Sequence, residues 1–365
     1  DLQRAEAAFN ESLKRTRELA ACDPDETAHV IAQAAILNEL ALITGLRGRL
    51  KHADNIFFRT KSLLQSCPDV MATDEGRFQY AIAHRLVASH ATRIGLDEPN
   101  PNQGGGRLSL SRRFRLTDPK PGIQRARIVL QESIDVLTKL TSEHPEDQQY
   151  KVELARAYRD KAVTASLARH RTEAEQSIQS SIALFRELLA ANPTLDAIRY
   201  ELALTLCNTE TFNMDYLRRS VEAHELCMQL LKTSPDLPHV KALYASIRTT
   251  FAERQMRINK YKAAEDTWKE VLQIYESLIK TSPNVLLYER RHSDTLESLA
   301  ELKVRQGERE AARNYLEQAI EGLQIAIKRS PNSPVIRMQL NRLIQRARRQ
   351  ANAEKATEPV PETGK

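Results

Sequence analysis

The sequence predicts an all-α fold, a right-handed α–α superhelix (solenoid) of helix hairpins with a period near 46 residues. Composition is the first observation behind this. The 365 residues include 11 Gly and 5% aromatics, below the ~7% Gly of average usage. Ala, Leu, Glu, Arg, Lys and Gln dominate, and these are strong helix formers. The second is that alternating apolar runs, the mark of half-buried strands, are scarce. The third observation is punctuation. A polar residue followed by Pro recurs as Asp23-Pro24, Cys67-Pro68, His144-Pro145, Asn192-Pro193, Ser234-Pro235, Ser282-Pro283 and Ser330-Pro331, at gaps of 44, 77, 48, 42, 48 and 48 residues.

Counting from each Pro justifies the elements in order. The fifth residue before it is Leu19, Leu63, Leu140, Leu188, Leu230, Leu278 or Ala326. The eleventh is Leu13, Phe57, Ile134, Ile182, His224, Leu272 or Ile320. Apolar residues between them at helical spacing complete one stripe of an amphipathic helix B of about five turns. The nineteenth is mostly Ala (Ala5, Ala126, Ala174, Ala264, Ala312), a small residue where two helices approach closely. Pro then ends the helix, because it cannot donate to the preceding turn. After the last five Pro, the fifth residue is Tyr150, Ile198, Val240, Tyr288 or Ile336, and the ninth is Leu154, Leu202, Tyr244, His292 or Leu340. This i, i+4 pair opens a helix A. Gly45, Gly95 and Gly307 fall where three turns from helix A to helix B are expected.

The phasing gives one array over 1–350. It starts with a helix B remnant at 1–23 and continues with hairpins at 24–67, 68–144, 145–192, 193–234, 235–282 and 283–330. A terminal helix at 331–350 follows, then a disordered tail at 351–365. The terminal helix carries Arg337, Arg342, Arg346, Arg348 and Arg349 without an acid, a charged outer face suited to a capping helix. The 77-residue gap holds a loop insertion at 95–122 with five Gly and four Pro. Its Gly104-Gly105-Gly106 is no phosphate cradle, since no Gly-Lys-Ser/Thr follows. Arg112, Arg113 and Arg115 in it are candidate anion or partner contacts, set against a plain connector.

Tyr150, Ala174 and Pro193 in one unit, and Tyr288, Ala312 and Pro331 in another, resemble the tetratricopeptide repeat. That family places large residues on helix A, small Ala at the start of helix B and Pro at the repeat end. The resemblance covers nearly the whole chain, with units near 46 residues rather than ~34. The longer unit, with a Tyr-x-x-x-Leu helix after Pro, looks like the repeat regions of bacterial multidomain signalling proteins, such as those behind Ser/Thr kinase domains. The resemblance implies a protein-protein interaction scaffold.

Chemistry-bearing motifs are missing. No HExxH, Walker or nucleophile motif occurs, so no enzyme is expected, and no cofactor or metal site. His84 and His90 are six apart and point to different faces of a helix. His224 and His292 sit at apolar repeat positions and read as core or rim residues. Cys22, Cys67, Cys207 and Cys227 form no C-x-x-C pair and read as free thiols. No run approaches ~18 apolar residues; the most apolar, near Ala34 to Leu46, contains Asn38 and Glu39. The compartment is not fixed by the sequence. A chain starting at Asp1, with a helix B that lacks its helix A, is expected to continue upstream, into that helix, another domain or a membrane tether.

One position carries the candidate binding surface. The sixth residue after the last five Pro is Lys151, Arg199, Lys241, Glu289 and Arg337, one past the buried fifth position and about 100° around helix A. Val30 and Asp74 break the row in the earlier units. The net charge of +6 permits an anionic partner. A basic strip of Lys151, Arg199, Lys241 and Arg337 would receive a protein or acidic peptide, against a solvated face paired with acids such as Glu153 and Glu201. The alternative is a nucleic-acid or other polyanion binder, which needs stacking aromatics; Tyr200 alone neighbours the row.

Overall fold

The structure is a computed structural model that describes residues 2–23, 26–46, 49–97, 121–207, 214–283, 285–331 and 333–355. Among the described residues every regular element is an α-helix, fifteen in all. The chain divides into two compact units, Asp1–Asp236 and Leu237–Lys365.

The first unit runs α1 (Leu2–Cys22), α2 (Thr27–Leu46), α3 (Leu50–Gln65), α4 (Pro68–Ala72), α5 (Asp74–Asp97), α6 (Pro121–Glu143), α7 (Gln148–Leu167), α8 (Arg171–Ala191), α9 (Asp196–Cys207) and α10 (Met214–Thr233). Helices α2 with α3, α5 with α6, α7 with α8 and α9 with α10 pair as hairpins, and each A helix also packs on the preceding B helix where both are described. The second unit runs α11 (Pro238–Arg257), α12 (Tyr261–Thr281), α13 (Leu286–Gln306), α14 (Arg309–Arg329) and α15 (Pro334–Lys355), paired α11 with α12 and α13 with α14, with α15 on α14.

The repeat positions carry the cores. Leu140, Leu188, Leu230, Leu278 and Ala326 are buried, as are Ile134, Ile182, Leu272, Tyr150, Ile198, Val240, Tyr288 and Ile336. Each buried Leu or Ile contributes roughly 1.5–3 kcal/mol of transfer free energy. Trp268 and Phe185 are the large inner side chains of their hairpins. Ala126, Ala174, Ala264 and Ala312 are buried at the starts of their B helices.

The Pro turns are built alike. His144, Asn192, Ser234, Ser282 and Ser330 each donate their backbone N–H to the carbonyl four residues back, at 2.8–3.1 Å. Pro has no N–H to continue the ladder. In four of these turns a bond of 3.1–3.2 Å runs back across Pro: Asp147 to His144, Leu195 to Asn192, Val285 to Ser282 and Ser333 to Ser330. This is a β-turn with Pro at its second position. Asp147 then caps α7, accepting from the N–H groups of Gln149 (2.7 Å) and Tyr150 (3.4 Å).

Several boundaries differ from the sequence reading. Helix α5 continues through Gly95 to Asp97, and α6 takes in Gly122, so the ends of the expected 95–122 loop are helical. The remainder, with Arg112, Arg113 and Arg115, lies outside the described residues. Pro68 starts α4 as its first residue rather than only ending α3, using the missing N–H where none is needed. Helix α15 runs to Lys355, beyond the expected end at 350, and 356–365 lie outside the described residues. Leu19 is 57% exposed although it holds the same repeat place as the buried leucines.

Helix α2 also corrects an expectation. Thr27–Gly45, with mean hydropathy 1.3, is long and apolar enough to cross a membrane by length and composition. It packs on α1, α3, α4 and α5, and its buried Asn38 donates to the Gln79 carbonyl and side-chain oxygens, each at 3.2 Å.

Three A-to-B turns use a left-handed residue. Of the three expected glycines only Gly307 takes it, at φ 81°, while Gly45 and Gly95 are helical. Arg169 (φ 66°) and Asn259 (φ 60°) fill the same place in their turns. Asn tolerates this region and Arg does not. Arg169→Gly is therefore expected to stabilise the first unit by about 0.5–1 kcal/mol, read as a rise in melting temperature. An unchanged or lower value refutes it.

Candidate interaction surface

The A helices carry the candidate row. In the first unit Lys151 follows buried Tyr150 on α7, and its Nζ reaches Glu187 on α8 at 2.8 Å. Arg199 on α9 bonds the Asp196 carboxylate and the Pro193 carbonyl. In the second unit Lys241 is half-buried on α11. Arg337 on α15 is exposed and donates to the Pro331 carbonyl. Glu289 is buried, with Arg329 at 2.5 Å. Burial pushes the Glu289 carboxyl above its ordinary value, and Arg329 opposes this. Arg329 also donates to the Pro283 carbonyl at 2.8 Å. Arginine thus meets a Pro carbonyl at three of the Pro turns, and the Arg329–Pro283 contact, 46 residues apart, is one that the spacing along one helix does not reveal. The sixth-position Arg side chains spend donors on their own turn; Arg337 is exposed, whereas Arg199 is only 13% exposed.

Glu153 and Glu201 do not pair with the row. They belong to a half-buried charge network on α5, α7 and α9. Arg85 Nε donates to Glu153 at 2.9 Å, and Arg85 Nη1 to Asp160 at 3.2 Å. Arg156 reaches Glu153 at 2.6 Å and, through Nε, Glu201 at 2.9 Å. Arg159 Nη1 bonds Glu201 at 2.5 Å and the Thr205 hydroxyl at 3.4 Å. Burial raises the Glu153 carboxyl, but Arg85 and Arg156 outweigh it and hold its pKa below the ordinary value. Burial acts likewise on Glu201, and Arg159 and Arg156 prevail there. Three guanidiniums face three carboxylates, so the network is neutral. Its chemistry is to tie three A helices together rather than to present free charge.

The second unit ties its A helices the same way. Glu297 on α13 accepts from Arg342 and Arg346 of α15, each at 2.6 Å, and Gln339 bonds Asp294 at 2.9 Å. Two of the terminal-helix arginines, read from the sequence as an outer capping face, are therefore stitched to the preceding A helix. The sequence signal is present: Glu153 and Glu201 stand at the same place in their repeats, eight residues after Pro.

Among the described residues no group of three or more His, Cys, Asp or Glu is placed to hold a metal. None of the four cysteines forms a disulfide. Burial, with Cys207 adding to it, pushes the Cys227 thiol up to about 12, so it stays protonated at neutral pH. His292 is half-buried with Nε2 3.6 Å from Glu276, and burial lowers its pKa. His224 is half-buried too.

No family model matches the chain, and no curated protein matches it in sequence. Among solved structures, it is similar to NprR in complex with its cognate peptide NprX at 12% identity and a TM-score of 0.46, covering 98% of this chain and 89% of that one. The hypoxic regulator of sterol synthesis Nro1, described as a nuclear import adaptor, gives 14% identity and a TM-score of 0.44, covering 92% and 99%. TTC0263, a thermophilic TPR protein of Thermus thermophilus, gives 13% identity and a TM-score of 0.36, covering 60% and 93%.

Proposed function

We propose that this chain is a protein-interaction scaffold, the repeat region of a larger bacterial signalling protein. The observation that carries the scaffold reading is the shared register of the A helices, which sets side chains at equivalent repeat places within each unit. The bacterial signalling context rests on the resemblance of the long repeat alone. Within this reading Lys151 and Arg199 in the first unit, and Lys241 and Arg337 in the second, meet acidic side chains of a partner.

The row is tested by neutralisation. Reversal would set a carboxylate at position 199 beside Asp196, so Lys151→Gln with Arg199→Gln is the cleaner pair. With a polyglutamate peptide as probe, the affinity of the full chain is expected to fall about three- to tenfold. Its salt dependence should shrink with it. Lys241→Gln with Arg337→Gln tests the second unit separately. Unchanged polyglutamate affinity in both pairs refutes the row. Preference for a single-stranded oligonucleotide over polyglutamate favours the polyanion alternative.

A further inference from the structure

A second surface lies on the B helices, at the first hairpin, and goes beyond the row on the A helices. Helices α1 and α3 both pack on α2, and between them opens a cleft. It is lined by Arg17 of α1, Gln33 and Leu37 of α2, and Phe58, Arg59, Ser62 and Leu63 of α3.

The repeat register shows what is unusual here. The tenth residue before each Pro faces solvent. It is Lys14, Asp135, Ala183, Glu225, Gln273 and Glu321 in six units, and Phe58 in the seventh. Phe58 is 60% exposed. The ninth residue before Pro is Val136, Leu184, Leu226 or Ile274 in the middle units, half-buried in each. Val136, Leu184 and Ile274 pack against core clusters. In α3 this place holds the exposed Arg59. Leu63, one of the leucines five before Pro, is only half-buried, whereas its later counterparts are buried. Helix α3 thus carries an exposed aromatic where the other units hold a polar or small residue, and a guanidinium where the middle units hold an apolar one, as α1 does with Arg15.

The charges point to the occupant. Arg186 pairs with Glu222, Arg127 with Glu173 and Arg219 with Glu175 on other B helices. Arg17 and Arg59 have no ion pair or hydrogen bond among the described residues. Two unpaired guanidiniums flank an apolar floor, the complement of an apolar side chain flanked by carboxylates. We propose that this cleft docks an acidic amphipathic segment of a partner protein, its apolar residue seated against Phe58, Leu63 and Leu37 and its carboxylates on Arg17 and Arg59.

The test uses the full chain and a fluorescent peptide of about five helical turns, with Leu at i, i+3 and i+7 and Glu at most other places. Its twin carries Lys for Glu. The Glu peptide is expected to bind, and the Lys twin to bind at least about tenfold more weakly. Phe58→Gln, which installs the residue that α12 carries at this place, and Arg17→Gln with Arg59→Gln should each weaken the Glu peptide by about tenfold with unchanged helicity and melting. Lys151→Gln with Arg199→Gln should leave it unchanged, which separates this cleft from the A-helix row. Equal binding of both peptides, or binding untouched by the cleft variants, overturns the proposal. So does failure of the Glu peptide alongside self-association abolished by Phe58→Gln, which would make a second copy the occupant. Failure alongside cosedimentation with phosphatidylserine vesicles, lost in the same variants, would make it a lipid surface.

Discussion

Glu201→Ala is expected to destabilise the first unit by about 3 kcal/mol, at the lower end of what breaking a buried ion pair costs. The carboxylate lies 2.5 Å from Arg159 and 2.9 Å from Arg156 Nε. Its side chain and that of Arg159 are each only 11% exposed. Removal leaves Arg159 with only the Thr205 hydroxyl at 3.4 Å, and Arg156 with Glu153 alone, in a half-buried site. Glu187→Ala is the control, because Glu187 is 59% exposed beside Lys151 and surface pairs contribute at most about 1 kcal/mol. Urea unfolding, with hydrogen exchange resolved to α7 and α9, reads both. Equal losses in the two variants would show that the network contributes no more than an ordinary surface pair.

Lowering the pH from 6.5 to 4 is expected to remove up to about 3 kcal/mol of stability through His84 alone, at 1.36 kcal/mol per pKa unit. His84 is 1% exposed on α5, its ring centroid 4.1 Å from that of Tyr80. Burial, with Lys61 adding repulsion, lowers its pKa from 6.5 to about 4. The Glu132 carboxylate, 51% exposed and 3.0 Å from Nδ1, makes no aligned hydrogen bond; its attraction for the charged ring opposes burial and reduces the loss below this upper figure. The folded state keeps the ring neutral, while the unfolded chain takes up a proton below pH 6.5. The contribution is therefore complete above pH 6.5 and is lost as the pH falls toward 4. Glu153 and Glu201 act in a separate window. Their lowered pKa values stabilise the fold above pH 4.5, and this is lost as the pH falls through those values. Urea midpoints of the parent and of His84→Leu between pH 7.5 and 4 test the assignment. The variant should show the shallower decline, and parallel curves would exclude His84.

The fold is legible because burial within a hairpin is set by spacing along its own helices. Tyr150, Leu188 and Ala264 can be placed by counting from Pro alone. What depends on a neighbouring element is not legible. Leu19 and Leu188 hold the same repeat place, yet one is exposed and the other buried, since the cover comes from the next helices. Glu153 meets Arg85 across 68 residues, and Glu201 meets Arg156 across 45. A reading of local acids instead assigns them to the Lys151 row. The left-handed turn at Arg169 is hidden because its residue type argues against it. Phe58 is a misfit in its column, but only its exposure shows that the misfit opens onto a cleft.

The Arg85–Glu153–Arg156–Glu201 chain has a consequence for assembly. Hairpins with similar apolar stripes can dock on the wrong neighbour, a hazard common to repeat proteins. Apolar surfaces discriminate poorly among such errors, because one leucine face fits another nearly as well. Charges in a half-buried site discriminate sharply, since an unmatched one stays unsolvated and unpaired. The α9 hairpin offers Glu201, and only a neighbour offering arginines at the places of Arg156 and Arg159 satisfies it. The corresponding places on α13 hold Asp294 and Glu297, which would repel it. The network thus works as an address for the hairpins of α5, α7 and α9, directing each to its proper neighbour.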